Sequence, residues 1–135
     1  MSVLGELQPN KVFKYFEEIC SIPHGSRNLQ QISDYLVDFA KAHELKYRQD
    51  EDLNVIIWKD GSKGYEASEP VILQGHMDMV AVKEADCDKD MEKEGLDLEI
   101  NGDYISAKGT SLGGDDGIAV AYTLAVLDDE EMAHP

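Results

Sequence analysis

Between Pro9 and Cys20 the apolar residues Val12, Phe13, Phe16, Ile19 and Cys20 recur at helical spacing, with Pro9 near the start, where its missing N–H is harmless. Pro23 ends that helix. After the turn HGSRN a second helix is predicted from about Leu29 to His43, with Leu29, Ile32, Leu36, Phe39 and Ala40 on one face and charged residues opposite. Short strands are predicted next at Lys46–Gln49, at Asn54–Lys59 with its β-branched Val55, Ile56 and Ile57, and, beyond the polar loop KDGSKGYEASEP, at Val71–Gly75. Residues 84–103 are too acidic to form a core and read mostly as a solvated loop. Near their end, LEINGDYISAKG sets Asn101 and Gly102 between apolar pairs, a strong hairpin signal. The last element, Asp115–Leu127, is apolar nearly all round and should be buried against a sheet. The carboxylates of Asp128 to Glu131 are unfavourable at a helix C-terminus and should stop it there. The pattern predicts an α/β fold, a mixed β-sheet flanked by helices. In that layout a buried helix crosses over to a further strand, and none follows before Pro135.

Composition narrows the reading. A chain of 135 residues, 42% hydrophobic and 30% charged, suits one domain or part of one. Twelve basic residues against 28 acidic ones, a net charge of −16, argue against nucleic acid or an anionic membrane as a partner and favour a cation or cationic small molecule. Acidity that only maintains solubility is the competing explanation. Cys20 falls in a helical pattern and Cys87 in an acidic loop, which fits two free thiols in a reducing compartment. The N-terminus lacks a secretory pattern, and no apolar run approaches the roughly 20 residues of a membrane span. A cytoplasmic location is expected.

Two stretches carry candidate chemistry. GHMDMV (75–80) follows an apolar run, and i, i+2 spacing in a strand would set His76 and Asp78 on one face, with Met77 and Met79 opposite. A metal-ligating imidazole commonly donates its other N–H to a carboxylate, a role open to Asp78. Taken alone, His-x-Asp is more often a surface or structural pair than a metal site. The second stretch, TSLGGDDGIAVAYTLAVL, turns through Gly113 and Gly114 into a helix. A phosphate there would be repelled by Asp115 and Asp116, with no Lys or Arg beside them, whereas an ionised carboxylate is ready for a cation. The first stretch follows a buried strand and the second precedes a buried helix, and ligands gather at the carboxyl ends of strands in open α/β sheets, so the two stretches are expected to meet there.

Together, GHMDMV and TSLGGDDGIAVAYTLAVL closely resemble the aminoacyl-histidine dipeptidases (peptidase D, or cytosolic non-specific dipeptidases), cocatalytic zinc exopeptidases related to aminoacylase and carnosinase. IPHGSRN, ISDYLVDFAKAHELK and DLNVII resemble them as well. The resemblance implies two zinc ions, with Co2+ or Mn2+ as substitutes, sharing a carboxylate and a water. It implies His76 as a zinc ligand, Asp78 as its orienting carboxylate and Asp115 as the bridging carboxylate, with Asp116 a neighbour rather than a ligand. It implies a small peptide substrate, typically an unblocked Xaa-His dipeptide, and a homodimeric intact enzyme. On that basis residues 1–135 are the N-terminal portion of the catalytic domain, without the later glutamate pair, acidic and histidine ligands and dimerisation lid. Glu130 and Glu131 do not fit the glutamate pair, because they precede the expected strand and lack apolar neighbours. This portion alone is expected to be inactive and to bind zinc poorly. The alternatives are an aminoacylase-like zinc amidohydrolase and a non-enzymatic cation-binding module using Asp86, Asp88 and Asp90, whose spacing lacks the EF-hand Gly and Glu.

The remaining candidates have ordinary readings. Cys20, Phe13 and Phe16 belong to a core; His24 caps a turn or faces solvent rather than meeting substrate or lid in a full enzyme; His43 complements a helix dipole; His134 lies in a disordered end; Met77 and Met79 pack.

Overall fold

The computed structural model describes residues 2–135. Helices α1 (Asn10–Cys20) and α2 (Gln30–Ala42) form where the apolar spacing predicts them, with Pro9 at the N-cap of α1. Val12, Phe16 and Ile19 of α1 and Ile32, Leu36 and Phe39 of α2 are buried, and such side chains contribute about 1.5–3 kcal/mol each. Strands β1 (Lys46–Gln49) and β2 (Val55–Trp58) pair antiparallel, Lys46 opposite Trp58 and Gln49 opposite Val55, and lie against α2. Strands β3 (Leu98–Asn101) and β4 (Tyr104–Ala107) form the predicted hairpin. Asn101 faces Tyr104, so the two loop residues are Gly102 and Asp103, one position later than the Asn-Gly reading. Gly102 takes the positive φ of 62° that such a turn needs.

The final helix, α3 (Gly114–Leu127), packs chiefly on α1. Gly117, Ala121 and Leu124 form its buried stripe, and a Cβ on Gly117 would stand 3.2 Å from Phe16. Burial all round was the expectation. Tyr122 is instead half exposed, since α1 covers one side of α3 only.

The predicted mixed sheet is not formed among the described residues. Two separate two-stranded antiparallel sheets take its place. Val71–Gly75, predicted as a strand, has no ladder partner, and Ile72 is 88% exposed. Its sequence suits a strand, but a strand exists only through its neighbours' hydrogen bonds. Among the described residues parallel pairing is confined to one rung, Gly25 with Met79.

The end of α3 is closed by charges drawn from three elements. Asp128 accepts hydrogen bonds from Tyr15 Oη (2.7 Å) and His43 Nε2 (3.1 Å), with Lys11 at 3.5 Å. The Lys59 ammonium donates to the carbonyls of Leu127 and Asp129. An acid at a helix C-terminus is thus tolerated because cations surround it. Burial works against ionised Asp128, but Tyr15 and the charges of Lys11 and His43 outweigh it and hold its pKa below the usual value. His43 also bonds the Phe39 carbonyl at 2.9 Å and stacks on the Phe39 ring, in keeping with a helix-end role.

Two histidines depart from their sequence readings. His24 is buried (2% exposed), with Nδ1 2.7 Å from the Ile22 carbonyl, because its turn is folded under residues 79–81. His134 is ordered by contact with the loop at 61–71: its Nδ1 is 3.0 Å from the Glu69 carbonyl, and Val71 N–H donates to the Pro135 carbonyl at 2.9 Å. Residues 84–95 form the expected loop, which joins the core at Leu96 through its N–H to the Cys20 carbonyl (2.8 Å).

Candidate metal centre

Three segments converge where the two motifs meet. Residues 24–26 run beside Met79: Met79 N–H donates to the His24 carbonyl and Ser26 N–H to the Met79 carbonyl, each at 3.0 Å. On its other side Met79, 2% exposed, is pressed against Gly113, whose Cβ, if present, would lie 2.9 Å from the Met79 Cβ. Gly113 has φ 74° and ψ 30°, a left-handed conformation that turns the chain into α3. Met79 is a packing residue, and the polar pair beside it is aimed outwards.

The backbone at Asp115 (φ −95°, ψ 109°) and Asp116 (φ −105°, ψ 25°) is not helical, and the peptide between them is cis. Both aspartates therefore precede the regular helix rather than forming its first turn. Asp115 Oδ1 lies 3.0 Å from His76 Nε2. Asp116 Oδ2 lies 3.6 Å from the same nitrogen and accepts a hydrogen bond from the His76 backbone N–H at 3.3 Å. On the other edge of the ring, His76 Nδ1 is 3.0 Å from the Asp78 carbonyl oxygen, to which it is hydrogen-bonded, and 3.1 Å from the Asp78 carboxylate Oδ1. Asp78 Oδ2 accepts a hydrogen bond from Ser26 Oγ at 2.6 Å.

Electrostatics follow from these contacts. The Asp115 carboxylate beside Nε2, with further help from Asp78 and Asp116, holds the His76 pKa above the ordinary imidazole value. The Ser26 hydrogen bond and the His76 charge hold Asp78 below the usual carboxylate range. Burial depresses His24.

Nδ1 faces only oxygens of Asp78 and is committed as a donor, which leaves Nε2 as the nitrogen able to ligate a metal. One imidazole nitrogen and two carboxylates form a donor set that suits zinc. His76, Asp115 and Asp116 bring such atoms within 4.8 Å of one another, the cluster of this kind found among the described residues. Two ligands on one tetrahedral zinc stand about 3.4 Å apart, so Asp115 needs to open by only a few tenths of an ångström. Asp86, Asp88 and Asp90 do not converge, and Asp90 is engaged by the Glu92 N–H of its own turn. Glu130 and Glu131 follow the far end of α3, whose regular part, residues 117–127, is about 15 Å long and separates them from the two aspartates.

Sequence reasoning places the two motifs together, with Asp116 beside them as a neighbour, but misses Ser26. Gly25-Ser26 in HGSRN carries no signal of its own, because its partner Asp78 is 52 residues away.

Comparison with known proteins gives the relationship: the chain is homologous to the cytosol non-specific and aminoacylhistidine dipeptidases. It is 40% identical over 134 residues to the cytosol non-specific dipeptidase of Escherichia coli (strain K12), covering 99% of this chain and 28% of that protein. It matches the aminoacylhistidine dipeptidase structure from Vibrio alginolyticus with a TM-score of 0.94 and 38% identity, over 98% of this chain and 27% of that one. A tripeptidase from Staphylococcus aureus, 23% identical, shares the fold with a TM-score of 0.70 over 92% of this chain and 32% of its own. No family model matches. The chain thus spans little more than a quarter of the relatives' length.

Proposed function

We propose that this stretch supplies part of the metal centre of a zinc-dependent dipeptidase. The supporting observation is the His76 ring, held at Nδ1 by Asp78 and facing Asp115 through Nε2. In this reading His76 Nε2 and Asp115 would hold zinc, and Asp78 would keep the proton on Nδ1. When bound, the zinc pair supplies an activated water and a Lewis acid for the peptide carbonyl. Asp78 and the Asp78 carbonyl keep the imidazole in the tautomer whose Nε2 lone pair is free. Asp115 brings negative charge to the place where cations gather. Asp116 anchors the His76 backbone, joining residues 75–79 to the start of α3. In the same reading the general base, the remaining ligands and the lid of a homodimer would be supplied by a part of the enzyme that this chain, little more than a quarter of its relatives' length, does not span.

The relatives' names support a dipeptide substrate, aminoacyl-histidine among them, and a cytosolic setting. No helix among the described residues is long and apolar enough to cross a membrane. The test is hydrolysis. With zinc and an Xaa-His dipeptide, the 135-residue chain should release no histidine above a metal-only control, while a longer polypeptide carrying the later motifs should. Asp78→Asn in the longer protein should lower activity ten- to a hundredfold with its fold intact. Equal turnover by the short chain would overturn the placement of the base outside it.

A further inference from the structure

We propose that Ser26 is a positioning residue of this metal centre, its hydroxyl fixing the Asp78 carboxylate so that Oδ1 stays on the His76 ring. The inference rests on the zinc reading above. Asp78 has two oxygens with separate partners: Oδ2 takes the Ser26 hydroxyl at 2.6 Å, and Oδ1 lies 3.1 Å from His76 Nδ1. A half-exposed aspartate rotates freely about its terminal torsion. Pinning Oδ2 removes that freedom, and the short distance is that of a hydrogen bond strengthened by the acceptor's charge.

Ser26 is itself held by backbone, not by a flexible side chain. Its N–H bonds the Met79 carbonyl, one residue beyond Asp78, and the neighbouring Met79 N–H bonds the His24 carbonyl. Gly25 permits this approach, since a Cβ there would lie 2.8 Å from the Ala81 Cβ. The turn is closed by Asn28 N–H to the Gly25 carbonyl (2.8 Å) and by Asn28 Nδ2 to the Glu92 carbonyl (3.0 Å). Between them Arg27 is held at φ 70°, a left-handed conformation that a non-glycine residue adopts where its surroundings impose it. Ser26 is exposed and fills no core space, so its alignment with Asp78 is its distinctive contribution.

The test uses the full-length, zinc-loaded protein that contains this stretch. Zinc affinity is measured by chelator competition, with kcat and KM for a dipeptide alongside, in Ser26→Ala, Ser26→Thr, Asp78→Asn and the double variant S26A/D78N. Loss of an outer partner of a metal ligand costs ten- to a hundredfold, and Ser26, acting one step further out, is expected near the lower limit. Ser26→Ala should weaken zinc binding about tenfold and lower kcat more than KM changes, while Ser26→Thr, which keeps the hydroxyl, restores most of both. With Asp78→Asn already present, Ser26→Ala should add less than about twofold, because the two residues act as a unit. Wild-type zinc affinity in Ser26→Ala, or an undiminished loss in the Asp78→Asn background, would overturn the role of Ser26 while leaving the centre in place. Zinc affinity unchanged by His76→Ala would overturn the centre itself, and the inference with it.

Discussion

Replacing Gly113 by alanine should damage both stability and the proposed metal centre, and the damage can be split into two causes. The first is backbone: a left-handed residue other than glycine costs about 1–2 kcal/mol, of which about 0.4–1 is offset by a less flexible unfolded chain. The second is contact, because the new Cβ would meet Met79 Cβ at 2.9 Å and Sδ at 3.0 Å. Met79 is fully enclosed, so it yields only by moving its own backbone, and overpacking of that kind costs about 1–3 kcal/mol. The sum is about 2–4 kcal/mol. Gly102→Ala is the control: φ is 62°, yet nothing lies within 4 Å of its Cβ position, so only the backbone part, about 1 kcal/mol, applies. Urea unfolding at equal m-values compares the two directly. Zinc affinity should fall in Gly113→Ala and not in Gly102→Ala, since Met79 adjoins Asp78 and carries the rung to Gly25. Equal destabilisation by the two substitutions would refute the argument that Met79 is clamped against Gly113.

Asp128→Ala should cost about 2–4 kcal/mol, as it leaves the buried Tyr15 hydroxyl and the His43 Nε2 without their partner, whereas Tyr15→Phe should cost about 1 kcal/mol; chemical denaturation measures both. Glu44 ends α2 at φ 56°, where Leu45 N–H reaches the Ala40 carbonyl and Glu44 N–H the Lys41 carbonyl, a glycine-favouring cap. Glu44→Gly is expected to raise stability by about 0.5–1 kcal/mol, seen as a higher urea midpoint. In metal-free protein, NMR titration should place His76 above and His24 below the ordinary imidazole value. The raised His76 then stabilises the fold below that value and ceases to do so as pH rises through its folded pKa, while the stability of neutral His24 is lost as pH falls below the ordinary value. Asp115→Asn should bring the His76 midpoint down, and an unmoved midpoint would dissociate the pair.

What the sequence by itself determined is the local structure whose cause is local. The apolar spacing of Val12, Phe16 and Ile19 marks α1, that of Ile32, Leu36 and Phe39 marks α2, and Gly102 marks the β3–β4 turn, because each depends on neighbours within a few residues. His76 and Asp78 likewise meet through their i, i+2 spacing, even without a strand to hold them. Tertiary structure decided the rest. Val71–Gly75 has the residues of a strand, yet a ladder depends on a distant partner, and here the run lies unpaired. His24 looks like a turn residue but is buried by residues 79–81, which pack over it from more than 50 positions away. Asp115 reaches His76 because Met79 is wedged between the Gly25 and Gly113 segments, and Ser26 reaches Asp78 by the same packing. Such contacts are set by how closely backbones approach in space, and that distance has no signature in any single stretch of the chain.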